Sequence, residues 1–278
     1  MISSFFFNEI QNSNFIKNKI NFNKIKYLSY YHGRELCIYV KNDSWISIKG
    51  AGWNFGPPFY YHLKKVNDPE CFGLLDYYNA KREQKITNFL NKKFKNSFPS
   101  VIGVLKIKKK LNISDKFKPA LIFRRVSTPY RLTDLLLMSK NNAFKELKKK
   151  FKGNKSKIFL LFLKKTLKTI ILYHRLGYVH DMIDLGNFNV HGQLLDLELF
   201  YLPGIKYPRQ FFRGNSNITH RRRKEAIAYL ETMYQFSEIL KLNYPIAKIA
   251  KLCEENINKK DRFLYFSKTI IDISNYWK

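Results

Sequence analysis

The stretch YVHDMIDLGNFNVHGQLLDLE, residues 178–198, decides the reading of this chain. The segment before it, Lys155 to Leu176, repeats apolar residues at helical spacing and ends at Gly177, a C-cap signal. The stretch itself has no helical period. It holds His180, Asp181, Asp184 and Asn187 in an irregular loop. It then runs into FNVHGQLLDLELF, which reads as two short strands around His191-Gly192 and carries Asp196. A long helix thus delivers the chain into a loop of oxygen ligands. An Asn amide oxygen and an Asp carboxylate are hard donors suited to Mg²⁺, an ion whose task is to neutralise phosphate charge. Asn187 and Asp196 are therefore the expected metal ligands, with Mg²⁺ the expected ion and Mn²⁺ its alternative.

Working outward toward the N-terminus, LCIYVKNDSWISIK (36–49) alternates and is rich in β-branched and aromatic residues. It reads as two strands with a turn at Asn42-Asp43. A Gly/Pro-rich loop, GAGWNFGPP, follows at 50–58. Asn79 to Phe94 has helical spacing, and VIGVLKIKK (101–109) and PALIFRRVS (119–127) read as strands. From about Arg221 onward helical periodicity dominates. The expected organisation is a polar leader over 1–27, a β-rich lobe over 28–131 and a helical lobe over 132–278. The fold class is α+β, with two lobes and one main helix in the first.

Composition narrows the partners. The 278 residues contain 51 Lys plus Arg against 21 Asp plus Glu, a formal charge of +30, which attracts phosphate groups and acidic surfaces. Most of the excess is Lys, alongside abundant Asn, Ile, Phe and Tyr. These residues share A/T-rich codons, so genomic bias accounts for much of it. Nucleic acid is accordingly not the favoured partner. Hydrophobic residues make up 45% of the chain, enough for a sizeable core, which excludes a disordered or fibrous class. Cys37, Cys71 and Cys253 have neither zinc nor disulfide-framework spacing, and a reducing cytoplasm is the expected compartment. The start, MISSFFFNEIQNSNF, lacks the regions of a signal peptide, and a mitochondrial presequence is the weaker alternative. Lys164, Lys165 and Lys168 interrupt the most apolar run, so no spanning helix is expected.

In protein kinases an Asn of the catalytic loop and an Asp of the next motif hold the metal ions. With His180 placed on its His, the loop also resembles that of the selenoprotein O family, protein-kinase-like protein adenylyltransferases. Asn187 and Asp196 then match that family's two metal ligands without a gap. Three further elements resemble it in order. Lys49-Gly50-Ala51-Gly52 is similar to its Lys-Gly-Ala-Gly, which implies that Lys49 contacts nucleotide phosphate while Gly50 and Gly52 let the backbone approach. Glu83, ten residues after Gly73, matches the helix glutamate that pairs with that lysine. Arg125-Val126-Ser127 with Arg131 resembles the arginine element that holds the terminal phosphate of an ATP bound in the reverse sense. The spacing is one residue short, so Arg124 competes with Arg125.

The resemblance covers roughly residues 36–200 and has departures. Gly186 stands where the family has Asp before the metal-binding Asn, and Leu197-Glu198 follows Asp196 in place of Tyr-Gly. A kinase would place its catalytic Asp at the position of Met182. Asp184 is the preferred proton acceptor, with Asp181 the other nearby carboxylate. The resemblance implies transfer of AMP from ATP to hydroxyls of Ser, Thr or Tyr on a protein. A kinase of the same fold, and an inactive pseudokinase or basic binding module, are the alternatives. His180 reads as a structural loop histidine. The run His220 to Lys224 reads as a solvated helix start.

Overall fold

The computed structural model describes residues 9–10, 12–15, 25–28, 35–40, 44–51, 74–108, 117–180, 182–201 and 218–258. The expected turn at Asn42-Asp43, the Gly/Pro loop with Gly52 and Trp53, Gly73 and Asp181 lie outside these residues. The chain forms two compact units, Met1–Asp134 and Leu135–Lys278.

The first unit is built on five antiparallel strands in the order β1-β2-β3-β5-β4: β1 (Ile25–Leu28), β2 (Glu35–Val40), β3 (Ser44–Lys49), β4 (Ser100–Lys106) and β5 (Ala120–Val126). The main helix among its described residues, α1 (Tyr77–Lys93), lies between β3 and β4 in sequence and packs on β4 and β5. Asp76 starts it. One carboxylate oxygen accepts the Tyr78 N–H at 2.8 Å and the other accepts Lys118 N–H at 3.0 Å, which ties the helix start to the entry of β5. Lys92 and Lys93 in the last turn suit the negative end of the helix dipole.

Strand alternation gives the sheet two different faces. Leu36, Ile38, Ile46, Ile48, Leu121 and Phe123 form the core on one face, joined by Ile10. On the other face Ala120 and Ile122 meet Leu75 and Ala80 beneath α1. The same helix-facing register carries Glu35, Ser47, Lys49 and Arg124. Glu35 pairs with Lys49 across β2–β3, and Ser47 pairs with Arg124 across β3–β5.

In the second unit a 3-10 turn reaches in from Leu132–Leu136, followed by α2 (Lys140–Lys148), α3 (Lys155–Arg175), α4 (Ile218–Ile239) and α5 (Ile246–Glu255). Phe159, Phe162, Leu163, Leu167 and Ile170 of α3 are buried, and burial of each such side chain contributes about 1.5–3 kcal/mol. Phe159 and Phe162 pack against Phe236 of α4, at ring-centroid distances of 5.9 and 4.7 Å. Among the described residues no helix is long and apolar enough to cross a membrane. A small antiparallel sheet with one main helix, followed by a helical unit, is the α+β, two-part order of elements expected from the sequence.

Two strands were expected over 188–200. The backbone instead forms a single bridge, Phe188 with Leu194, and a 3-10 turn at Leu197–Leu199. The cause is local. The Asn189 side-chain oxygen accepts the N–H groups of both His191 and Gln193, at 3.1 and 2.9 Å, which closes the chain into a tight turn. Asp196 then adopts left-handed backbone, φ 56°, and ends the extended run.

Candidate active site

In the first unit, α1 brings Glu83 over the helix-facing side of the sheet. Lys49 ends β3, and its Nζ lies 3.4 Å from Glu83 Oε2. Arg124 Nη1 lies 2.8 Å from the other oxygen, Oε1. Arg124 also bonds Glu35, whose second oxygen is held by Arg131. Ser47 donates to Glu35 and accepts from Arg124 Nε at 3.3 Å. All six side chains are at most 1% exposed. Three cations and two carboxylates thus share one buried network, in which each charge meets its opposite. The 3-10 turn after β5 places Arg131, and Asp134 accepts the Arg131 N–H at 2.7 Å.

Arg125, expected to partner Arg131, is not brought to it. Successive side chains of a strand point to opposite faces, so Arg124 faces Ser47 and Lys49 while Arg125 is exposed on the other side. Arg124 takes its place beside Arg131. Sequence reasoning also missed Glu35, the carboxylate that joins the two arginines. Its signal was slight: an acidic residue opening an otherwise apolar strand.

Gly50 turns the chain out of β3 with φ 87°. A Cβ there would stand 2.5 Å from the Ala120 carbonyl oxygen and 2.7 Å from Leu75 Cβ. The close approach that Gly50 permits in this structure is to β5 and the entry of α1.

In the second unit, a Schellman motif at the end of α3 feeds the loop. Gly177 N–H bonds the His174 carbonyl at 2.9 Å and Tyr178 N–H bonds the Tyr173 carbonyl at 3.0 Å, with Gly177 at φ 83°. Val179 and Tyr201 then pair, fixing both ends of the segment. Within it, Asp184 caps the short turn Leu185–Asn187 by accepting the Asn187 N–H at 2.9 Å. Asn187 Nδ2 donates to the Met182 carbonyl at 2.7 Å, and this orientation leaves the amide oxygen as the atom for a cation. Leu195 N–H bonds the Asn187 carbonyl at 2.8 Å, which sets Asp196 beside Asn187 in the fold. Both side chains are 4% exposed. Left-handed backbone at a non-glycine residue is uncommon and costly, and Asp is among the few side chains that tolerate it.

His180 is fully buried, and Nε2 donates to the Leu195 carbonyl at 2.8 Å, tying the loop to the Asp196 segment. Burial lowers its pKa, while the Leu195 bond and the charges of Asp196, Glu198 and Asp184 raise it. Those carboxylates make this corner of a very basic chain locally acidic. That donor set, an amide oxygen with carboxylates, fits Mg²⁺.

Glu225 of α4 supports the loop from behind. Oε2 accepts the His180 N–H at 2.7 Å, and Oε1 lies 3.4 Å from His174 Nε2. His174 is neutral there, because burial, then Arg222, pulls its pKa down to about 3. The basic run at the start of α4 is therefore half structural. Arg221 stacks 4.1 Å from the Tyr201 ring centroid, and Arg222 donates to the His174 carbonyl at 2.7 Å. His220, Arg223 and Lys224 are exposed as expected. Glu225 was legible in hindsight, since it shares the buried stripe of Tyr229 and Phe236 on α4.

The described residues thus hold a lysine at the end of the third strand paired with a helix glutamate, and an Asn and an Asp in the loop that follows a long helix. No family model matches the chain, and no curated protein matches it. Among solved structures it is similar to the Toxoplasma gondii specific rhoptry antigen kinase domain. The two share 13% identity over 87% of this chain and 78% of that one, with a TM-score of 0.43.

Proposed function

We propose that this chain is an ATP- and Mg²⁺-dependent protein adenylyltransferase of the selenoprotein O type. In this reading Lys49, positioned by Glu83, and the Arg124/Arg131 pair hold the phosphates of ATP. Asn187 and Asp196 hold the metal, which would screen charge on the reacting phosphate. Asp184 accepts the proton of the attacking Ser, Thr or Tyr hydroxyl. The hydroxyl oxygen bonds to the α-phosphorus, the bond from that phosphorus to its bridging oxygen breaks, and pyrophosphate leaves.

The observation that carries this reading is the convergence of Arg124 and Arg131 on a single carboxylate, on the sheet face that also bears Lys49. Two guanidiniums gathered on one carboxylate make a preassembled anion cradle, which in this reading phosphate enters by displacing Glu35. Phosphate held there by its terminal group leaves the α-phosphate for attack. Phosphoryl transfer would use the same Lys49–Glu83 and Asn187–Asp196 pairs, so a protein kinase is the second reading.

Isotopes separate the two. The full chain is incubated with Mg²⁺ and ATP labelled at either the α- or the γ-phosphate, and protein-bound label is counted. Label from α alone is expected. Label from γ alone makes the chain a kinase. Label from neither, with ATP still raising the melting temperature, makes it a silent nucleotide-binding module.

A further inference from the structure

In the second unit a cavity of about 420 Å³ opens beside α2. Leu135, Ala143, Phe144, Leu147, Ile239 and Leu240 form its apolar floor. Leu136, which also lines it, is 57% exposed, and Leu137 beside it is 64% exposed. Large apolar side chains left this open beside a groove mark a binding surface. Lys140, Lys155 and Lys241 stand on its lining, from the start of α2, the start of α3 and the turn after α4.

The three lysines are gathered without a counter-charge. None meets a carboxylate among the described residues, whereas nearby Lys149 pairs with Glu146 at 2.8 Å. The Lys241 ammonium is pushed below the ordinary lysine range, first by its contact with Lys140 and that residue's charge, then by desolvation and Lys155. Lys241 also sits in left-handed backbone, φ 56°, where Gly or Asn is more at ease. The surrounding segment 140–157 has eight lysines and a single acidic residue, Glu146.

We propose that this groove docks an acidic, amphipathic segment of a partner protein, with its apolar side chains on the Leu/Phe floor and its carboxylates on Lys140, Lys155 and Lys241. Charge complementarity selects the occupant. The rim asks for anions, and the floor asks for a few bulky apolar groups directly beside them. A single-stranded nucleic acid would use a row of exposed aromatic rings, and the floor offers mainly aliphatic side chains. The site uses none of the residues assigned to ATP or metal, so it stands whether or not transfer activity is found.

The probe is a fluorescein-labelled peptide in which Asp and Glu flank two Leu and one Phe, titrated with the full chain and followed by anisotropy. Saturable binding is expected. Combined Lys140→Glu, Lys155→Glu and Lys241→Glu should weaken it about tenfold or more. Combined Lys85→Glu, Lys92→Glu and Lys95→Glu, all exposed on α1 or just after it, controls for net charge and should change it less than about twofold. Leu136→Asp should weaken it independently, and far-ultraviolet circular dichroism checks that each variant is folded. Equal loss in both lysine sets would mean diffuse attraction and overturn the site. So would absence of saturable peptide binding, or capture of phosphatidylserine vesicles or an oligonucleotide through the same three lysines in its place.

Discussion

Arg124 holds Glu83 at 2.8 Å, inside the 3.4 Å that separates Lys49 from the same carboxylate. One glutamate on α1 therefore restrains two cations from two neighbouring strands. Arg124 in turn connects it to Glu35 and Arg131. The lysine is positioned by a network, and loss of any member is felt by the rest.

Glu83→Ala leaves Lys49 and Arg124 buried without that charge. Breaking one side of a buried ion pair costs about 3–5 kcal/mol, and urea unfolding should show a loss of that size. Arg125→Ala should stay within about 0.5 kcal/mol of the parent, since its side chain is exposed. An equal loss in the Glu83 and Arg125 variants would contradict the placing of Arg125 outside the buried network.

Mg²⁺ with ATP should stabilise the parent chain by about 2.7 kcal/mol at a hundredfold excess over the dissociation constant. Asn187→Ala and Asp196→Ala should each abolish most of that gain in a thermal-shift titration. Each variant should also melt lower without nucleotide, because Asn187→Ala loses the bond to the Met182 carbonyl and Asp196→Ala puts Ala in left-handed backbone, so the gain is read against each variant's own baseline. Retained stabilisation in both variants would remove the pair from the metal site.

Stability should fall as the solution is acidified from neutral toward pH 4. His174 is held to about 3 by burial first and Arg222 second. His191 is held to about 4 by burial first, then Lys165 and Lys150. The folded-state values lie below the unfolded value near 6.5, so the unfolded chain binds more protons between those limits. Stability is then complete above about pH 6.5 and is lost as pH drops through the window. Denaturant midpoints measured from pH 7 to 4 should show this slope. It should be shallower in His174→Gln.

Gly50→Ala should destabilise by at least about 2 kcal/mol. Left-handed backbone costs an L-residue about 1–2 kcal/mol, and the new methyl group would meet the Ala120 carbonyl at 2.5 Å. Gly177→Ala has the same backbone strain, but nothing lies within 4 Å of its Cβ position. Its cost should therefore be the smaller of the two by urea midpoint.

Much of this was legible in the residues. The helix over Asn79 to Phe94 appears as Tyr77–Lys93, and the strands near 101–109 and 119–127 appear as Ser100–Lys106 and Ala120–Val126. Period and alternation report burial directly, so these elements could be read without a structure. The two strands expected around His191-Gly192 were misread, because the pattern resembles alternation while Asn189 bends the backbone through its own side chain.

What the sequence determined by itself was local: the α+β order of elements, the stop at Gly177, and the placing of Asn187 and Asp196 close together in the chain. The tertiary structure decided which charges meet. Glu35, Glu83 and the Arg124/Arg131 pair are far apart in the chain, and only β-sheet register and the packing of α1 bring them together. A one-residue change of strand parity separates Arg124, buried in the network, from Arg125, exposed outside it. Parity is set by pairing with β3, and no property of the two adjacent arginines records it.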